Sequence, residues 1–436
     1  MAVSQTQEQN AEMSHTLLME QPQQHQEDPN DYQLSKSLSR LETFLGFFGF
    51  YQHSIFTFSL SWLLFLLLGV TLPLLIIQLT YCSACQKYEI KSFDLEILAS
   101  QSLAAAISLL CISHNLRKYR LRKFLSVDKY HGHGAQFRKD YVKKINDFFR
   151  LLAVWLVPCF IIKAAREVTR VVYADYDAWW QMVLVLIALL VSWTYSTTIY
   201  LSGCALFNLV CNFQVIHFEN YGKLLERDLD VSAYIDEHIC LTHYLSKISH
   251  RFRVYLVLEF LLATATQFVS LLETTRNSGI INFINGGGFA VISVIELVGT
   301  ILFLHAAAKI SHRAQALGSV ASRWHALVTC SSMDTSQQGV NDSGETINQM
   351  GSLRTTYSES DLEIGDFVPV PTANQLASYM SFYQKRQAFV MYVLSNPGGL
   401  TVYGWRIDRT LSITIVFIEM SLFLFVLGKT ITITTD

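Results

Sequence analysis

Seven stretches of the chain are apolar for long enough to cross a bilayer, and between them the pattern turns polar or helically amphipathic. A span needs roughly 20 apolar residues. The stretches are Phe56–Thr80, Leu95–Ile112, Phe148–Val168, Trp180–Asn212, Tyr255–Leu272, Gly286–Ala308 and Thr410–Lys429. The fourth is long enough to tilt, or to continue beyond the membrane as a helix. The second is broken in its outer half by Glu96, Ser100, Gln101 and Ser102, so neighbouring helices must cover those groups. Outside the spans, Ser39–His53 carries aromatic and apolar residues at helical spacing and fits a helix lying on the inner membrane face. His217–His250 reads as an amphipathic helical connection. Asn374–Leu394 resumes the helical period until Pro397, Gly398 and Gly399 break it. The pattern predicts an all-α membrane protein with seven transmembrane helices. It divides into a disordered tail over 1–35 and six membrane helices over 36–308, with cytosolic loops at 113–147 and 213–252. A flexible cytosolic loop over 309–372 follows, then a cytosolic helix and the final span over 373–436.

Composition supports a bilayer. The 436 residues are 51% hydrophobic and only 16% charged, against about 25% charged in soluble domains. A net charge of −2 gives no reason to expect a nucleic-acid partner. The polar start ("EQPQQHQEDPND") has neither the basic head nor the apolar run of a signal peptide. Lys and Arg set the direction of insertion. Ten of them follow span two, whereas the connections after spans one, three and five carry two, one and one. The even-numbered connections are therefore cytosolic, which puts the N-terminus inside and the C-terminus outside. That is the reverse of a G-protein-coupled receptor, and neither Asp-Arg-Tyr after span three nor Asn-Pro-x-x-Tyr in span seven is present.

Charge inside the spans carries the chemical interest. "ITIVFIEMSLFLFVLG" holds one carboxylate, Glu419, with Ser412, Ile415, Phe423 and Val426 on the same helical face. Glu259 lies in span five and Glu296 in span six, each on a small or polar face. Such groups are expensive in hydrocarbon and turn to a bundle interior or a water path. Two readings stand: hydrogen-bonded glue between helices, or a carboxylate-lined hydrated path that favours cations. Glu96, Gln101, Arg166, Trp180, Gln267, Ser270, Ser293 and Glu296 make a candidate small-ligand pocket, with aromatic walls and a few convergent polar groups. An interfacial aromatic belt is the competing account of the tryptophans. Cys82 and Cys85 fall on the expected outer side, where a short disulfide, a link to another subunit and two free thiols are all open. The His-containing segments "HGHG" and "HICLTHYLSKISH" do not define a metal site, and no cofactor is expected.

An inside N-terminus, seven spans, a long cytosolic connection between spans four and five, and a helix before a short last span resemble the insect odorant and gustatory receptor superfamily. The segment "NPGGLTVYGWRIDRTLSITIVFIE" and the closing "VLGKT" resemble its plant gustatory-receptor-like branch. The resemblance covers the chain from about Ser35 onward. It implies a homotetramer whose four last spans surround one cation pore, with a pocket for an unknown small molecule in the outer half of each subunit. Ser412, Ile415, Glu419, Phe423 and Val426 would then line the pore. The insect last span carries Thr-Tyr, five hydrophobic residues and Gln; here "SITIVFIE" keeps the spacing and puts Glu419 in place of Gln. The expected function is a ligand-gated cation channel, with lipids, cations and sister subunits as partners and the plasma membrane as its place. The alternatives are a seven-span metal-dependent hydrolase and a non-conducting scaffold or lipid-binding protein of the same fold.

Overall fold

The computed structural model describes residues 29–52, 54–79, 90–119, 121–125, 135–173, 179–225, 230–276, 283–336 and 382–432. Among them the chain is almost wholly helical, and seven helices are long and apolar enough to cross a membrane. α1 (Pro29–Phe47) lies against the side of α6 (Ala135–Tyr173), with Leu41 and Leu45 buried and Phe44 wedged edge-on between Phe148 and Phe149. α2 (Ile55–Phe65) passes through a π-helical turn (Leu66–Thr71) into α3 (Leu72–Leu79), so one span holds three pieces. Pro73 explains the irregularity: it has no N–H to offer the Gly69 carbonyl one turn back. The Ser102 hydroxyl supplies the missing donor at 3.2 Å.

α4 (Ile90–Tyr119) and the short α5 (Leu121–Phe124) follow, then α6, α7 (Trp179–Leu224), α8 (Val231–Arg276) and α9 (Phe283–Ser336). α7 and α9 pack along each other at the centre; 78% of the apolar stretch of α9 is buried. α7 and α8 have 46 residues each, about 70 Å of helix at 1.5 Å per residue, more than twice the hydrocarbon thickness. Their far halves therefore stand outside the membrane. α10 (Phe382–Ser395) joins them there, and this end is held by rings: Tyr234 and Trp324 at 5.5 Å, Tyr234 and Phe389 at 5.9 Å, Trp324 and Phe389 at 6.0 Å.

Two expectations are corrected here. The segment from 309 was read as the start of a flexible loop, yet α9 runs unbroken to Ser336. Ile310, Ala314, Leu317 and Ala321, spaced 4, 3 and 4 apart, are all buried, so the helix continues because its apolar face does. The connection at 113–147 is likewise mostly the ends of α4 and α6, whereas the helical connection expected over His217–His250 is present as the ends of α7 and α8. Cys82 and Cys85 and residues 337–381 lie outside the described residues. The Pro-Gly-Gly break leads into an unforeseen hairpin, β1 (Thr401–Val402) paired antiparallel with β2 (Trp405–Arg406). Its central residues, Tyr403 and Gly404, both have positive φ, the geometry that matches the strand twist. The hairpin docks through Leu400 N to Ser311 Oγ (3.0 Å) and Thr401 N to Ser249 Oγ (3.2 Å). α11 (Arg409–Thr432) is the last span; it packs on α9 and α8 and is the least covered of the seven, at 17%.

Candidate functional site

The polar residues of the spans gather into two separate places. At the end of the bundle far from α10, α6 presents Lys163, Arg166, Glu167 and Arg170, spaced so that all four share one face. Asp94 comes to meet them from α4. Arg166 bridges Asp94 Oδ1 and Glu167 Oε1, each at 2.8 Å, and is almost fully buried. Lys163 Nζ reaches Glu167 Oε1 at 2.6 Å, and Arg170 reaches Asp94 Oδ2 at 3.1 Å. Charges so deep survive only when each is paired. Three cations against two carboxylates leave the network one positive charge in excess.

A cavity of about 40 Å³ opens beside this network, room for a few waters or one small polar group. Gln101, Ser192, Trp193, Ser196 and Gly69 complete its wall. Gln101 is fixed there by donating to the Trp193 carbonyl (3.2 Å) and the Thr197 hydroxyl (3.1 Å). The π-turn and its proline bring the Gly69 backbone to this spot.

The second place is a carboxylate layer nearer the middle of the bundle, where α4, α7, α8, α9 and α11 meet. Glu259, Glu296 and Glu419 are each only 2% exposed. Ser108 Oγ donates to Glu259 Oε1 at 2.7 Å, and Thr264 Oγ1 donates to Glu419 Oε1 at 2.9 Å. Glu296 lies within electrostatic reach of both other carboxylates. Neither of its oxygens has a partner at full hydrogen-bond geometry, although the Thr266 hydroxyl approaches it. Gln267 Nε2 donates to the Ser293 carbonyl at 3.1 Å, and Ser270, Ser293 and Thr300 are fully buried around it. The Tyr200 hydroxyl lies directly against Gly299, where any Cβ would collide with it.

The single pocket expected from the sequence is thus divided. Gln101 and Arg166 line the charged cavity, whereas Gln267, Ser270, Ser293 and Glu296 belong to the carboxylate layer. Glu96 is half-exposed and lines neither. Trp180 is 57% exposed and points outward, as an interfacial belt requires. Asp94, Glu167 and Arg170 were missed; the 163/166/167/170 spacing on an otherwise apolar span was the signal. The expected pore face also lands elsewhere. Ser412, Glu419 and Val426 are buried within the chain, with Ile415 and Phe423 half-covered. The Thr264 hydroxyl on the neighbouring α8 holds the carboxylate on the inward side. α11 shows a broad face to its surroundings, Ile413, Phe417, Ile418, Met420 and Phe425 among it, and Thr414, Phe417, Ser421 and Leu424, spaced 3, 4 and 3 apart, form one stripe of that face. Its two hydroxyls return to their own helix at Thr410 O (3.0 Å) and Phe417 O (2.8 Å). Among the described residues no group of three or more His, Cys, Asp and Glu is placed to hold a metal ion.

A family model described as "Protein of unknown function (DUF3537)" matches residues 36–418. No curated protein matches the chain. Among solved structures, the insect olfactory receptor OR5 from Machilis hrabei, in complex with eugenol, has the same fold. The TM-score is 0.54 at 12% identity, over 92% of this chain and 100% of that one.

Proposed function

We propose, on the premise that the chain belongs to the DUF3537 family of unknown function, that it is a chemically gated cation channel of the gustatory-receptor-like kind. Four copies would assemble with α11 around a shared axis, the N-terminus and the α10 end in the cytosol, in the plasma membrane. The observation that carries this reading is the likeness, end to end, to a receptor solved with a small molecule, eugenol. The charged cavity is the candidate ligand site. A ligand changes a conformational equilibrium only through unequal affinity for its two states. The Arg166–Asp94 and Arg166–Glu167 pairs tie α4 to α6, so a ligand competing for Arg166 would alter how those helices sit.

In this reading the axis is faced by Thr414, Phe417, Ser421 and Leu424, and Glu419 acts from behind as a latch to Thr264 on α8. The test is planar-bilayer recording of the purified protein while small molecules are screened. Cation current that a ligand raises, and that Arg166→Gln desensitises to that ligand, supports the proposal. A correctly assembled protein that carries no current with any ligand favours the non-conducting scaffold.

A further inference from the structure

A second hollow, larger than the charged cavity, lies elsewhere, and neither that cavity nor the carboxylate layer accounts for it. It is a groove of about 430 Å³ where α6, α7 and α9 converge. One end is cationic, with Lys144 and Arg150 from α6 and Lys309 from α9. The other end is apolar, floored by Leu151, Val154 and Leu302.

The two ends sit at different membrane depths. From Leu151 to Ile162 the chain is apolar without a break except Pro158 and Cys159; Arg150 stands at its edge and Lys144 precedes it by two turns of helix. Leu302 and Lys309 are separated in the same way on α9. Two turns is about 10 Å, comparable with the step from hydrocarbon to headgroup level. Val154, on the apolar floor, is 56% exposed.

The charge at the headgroup end is poorly neutralised. The Lys144–Asp147 pair is long, at 3.8 Å. Lys309 donates to a neutral amide, Asn212 Oδ1, at 2.8 Å, and lies within reach of the like charges of Lys144 and Arg313 as well as of Glu219. One turn further on, Arg313 already has Glu219 at 3.2 Å. Lys144, Arg150, Lys309 and Arg313 against Asp147 and Glu219 leave an excess of two positive charges. Basic grooves between helices at an interface of this kind suit anionic lipid headgroups.

We infer that this groove holds an anionic glycerophospholipid. Its phosphate sits among Lys144, Arg150 and Lys309, and one acyl chain runs along Leu151, Val154 and Leu302. A free anion would satisfy the cations and leave the floor without a role, which is why the lipid is the occupant. The inference needs only a membrane-embedded chain and stands whether or not the protein conducts.

Native mass spectrometry of the full-length protein in detergent, titrated with phosphatidic acid or phosphatidylcholine, tests it. Phosphatidic acid should be retained at least about tenfold better, with roughly a fivefold loss for each cation removed by Lys144→Gln, Arg150→Gln or Lys309→Gln. Val154→Asp, at an exposed position, should also lower retention by placing a charge in the acyl path. Thermal unfolding supplies the second reading. Phosphatidic acid should raise the Tm of the wild type and not that of the triple Gln variant, and inorganic phosphate should raise neither. Equal retention of the two lipids would overturn the inference. So would undiminished binding by the single variants, or an equal Tm rise with inorganic phosphate, which would mark a free-anion site.

Discussion

At the scale of single residues, Arg166 is the charge that joins α4 to α6 in the buried network. It is almost fully enclosed, and the two arms of its guanidinium hold Asp94 and Glu167, one each, in an apolar surrounding. Removing one partner of such a network strands the others, at a cost of about 3–5 kcal/mol. Arg166→Leu should therefore lower stability by that amount in a denaturant or thermal unfolding series. Arg166→Lys, which keeps the charge and loses the fork, should cost less. Ser108→Ala removes the donor to Glu259 and should cost about 1–3 kcal/mol. Glu296 behaves in the opposite sense. Its carboxylate is buried with little hydrogen bonding, so a charge there is a liability. Glu296→Gln should leave the unfolding temperature unchanged or raise it, and a clear fall would show that the carboxylate has a partner this account lacks.

At the scale of elements, the close pass of α7 and α9 depends on Gly299. A methyl group there meets the Tyr200 hydroxyl, so Gly299→Ala should destabilise by about 1–3 kcal/mol through overpacking. Tyr200→Phe in the same background should recover part of the loss. The spans were legible in the sequence because hydropathy reads what faces lipid. Their lengths were not, because a helix leaving the membrane turns amphipathic, and Ile310–Ala321 then looks like polar chain unless its 4-3-4 spacing is followed. The hairpin at Thr401–Arg406 gave little warning; two residues per strand have no period to read. The faces of α11 were legible as faces, since Ser412, Glu419 and Val426 do share one side. Which side turned inward was decided by Thr264, 155 residues earlier in the chain, and no local pattern carries that. The charged cavity failed for a similar reason: Asp94 had to cross from α4 before the α6 stripe became a site.

At the scale of the whole molecule, the architecture separates two jobs. The α10 end is knit by aromatic rings between α8, α9 and α10. In the membrane part α9 is enclosed by the other spans, and α11 is the least covered of the seven. A chain that leaves Phe417 71% exposed on such a helix presents it to lipid or to sister copies. The central claim is the second of these. Disulfide cross-linking in native membranes tests it most directly, with single cysteines introduced at Ser421, Leu424 and Val426 and the parent chain as background. The account expects covalent dimers at Ser421→Cys and Leu424→Cys, because the outward stripes of neighbouring copies meet, and no added cross-link at the buried Val426→Cys. Cross-links at Val426→Cys alone, or none at the two outward positions, would contradict it.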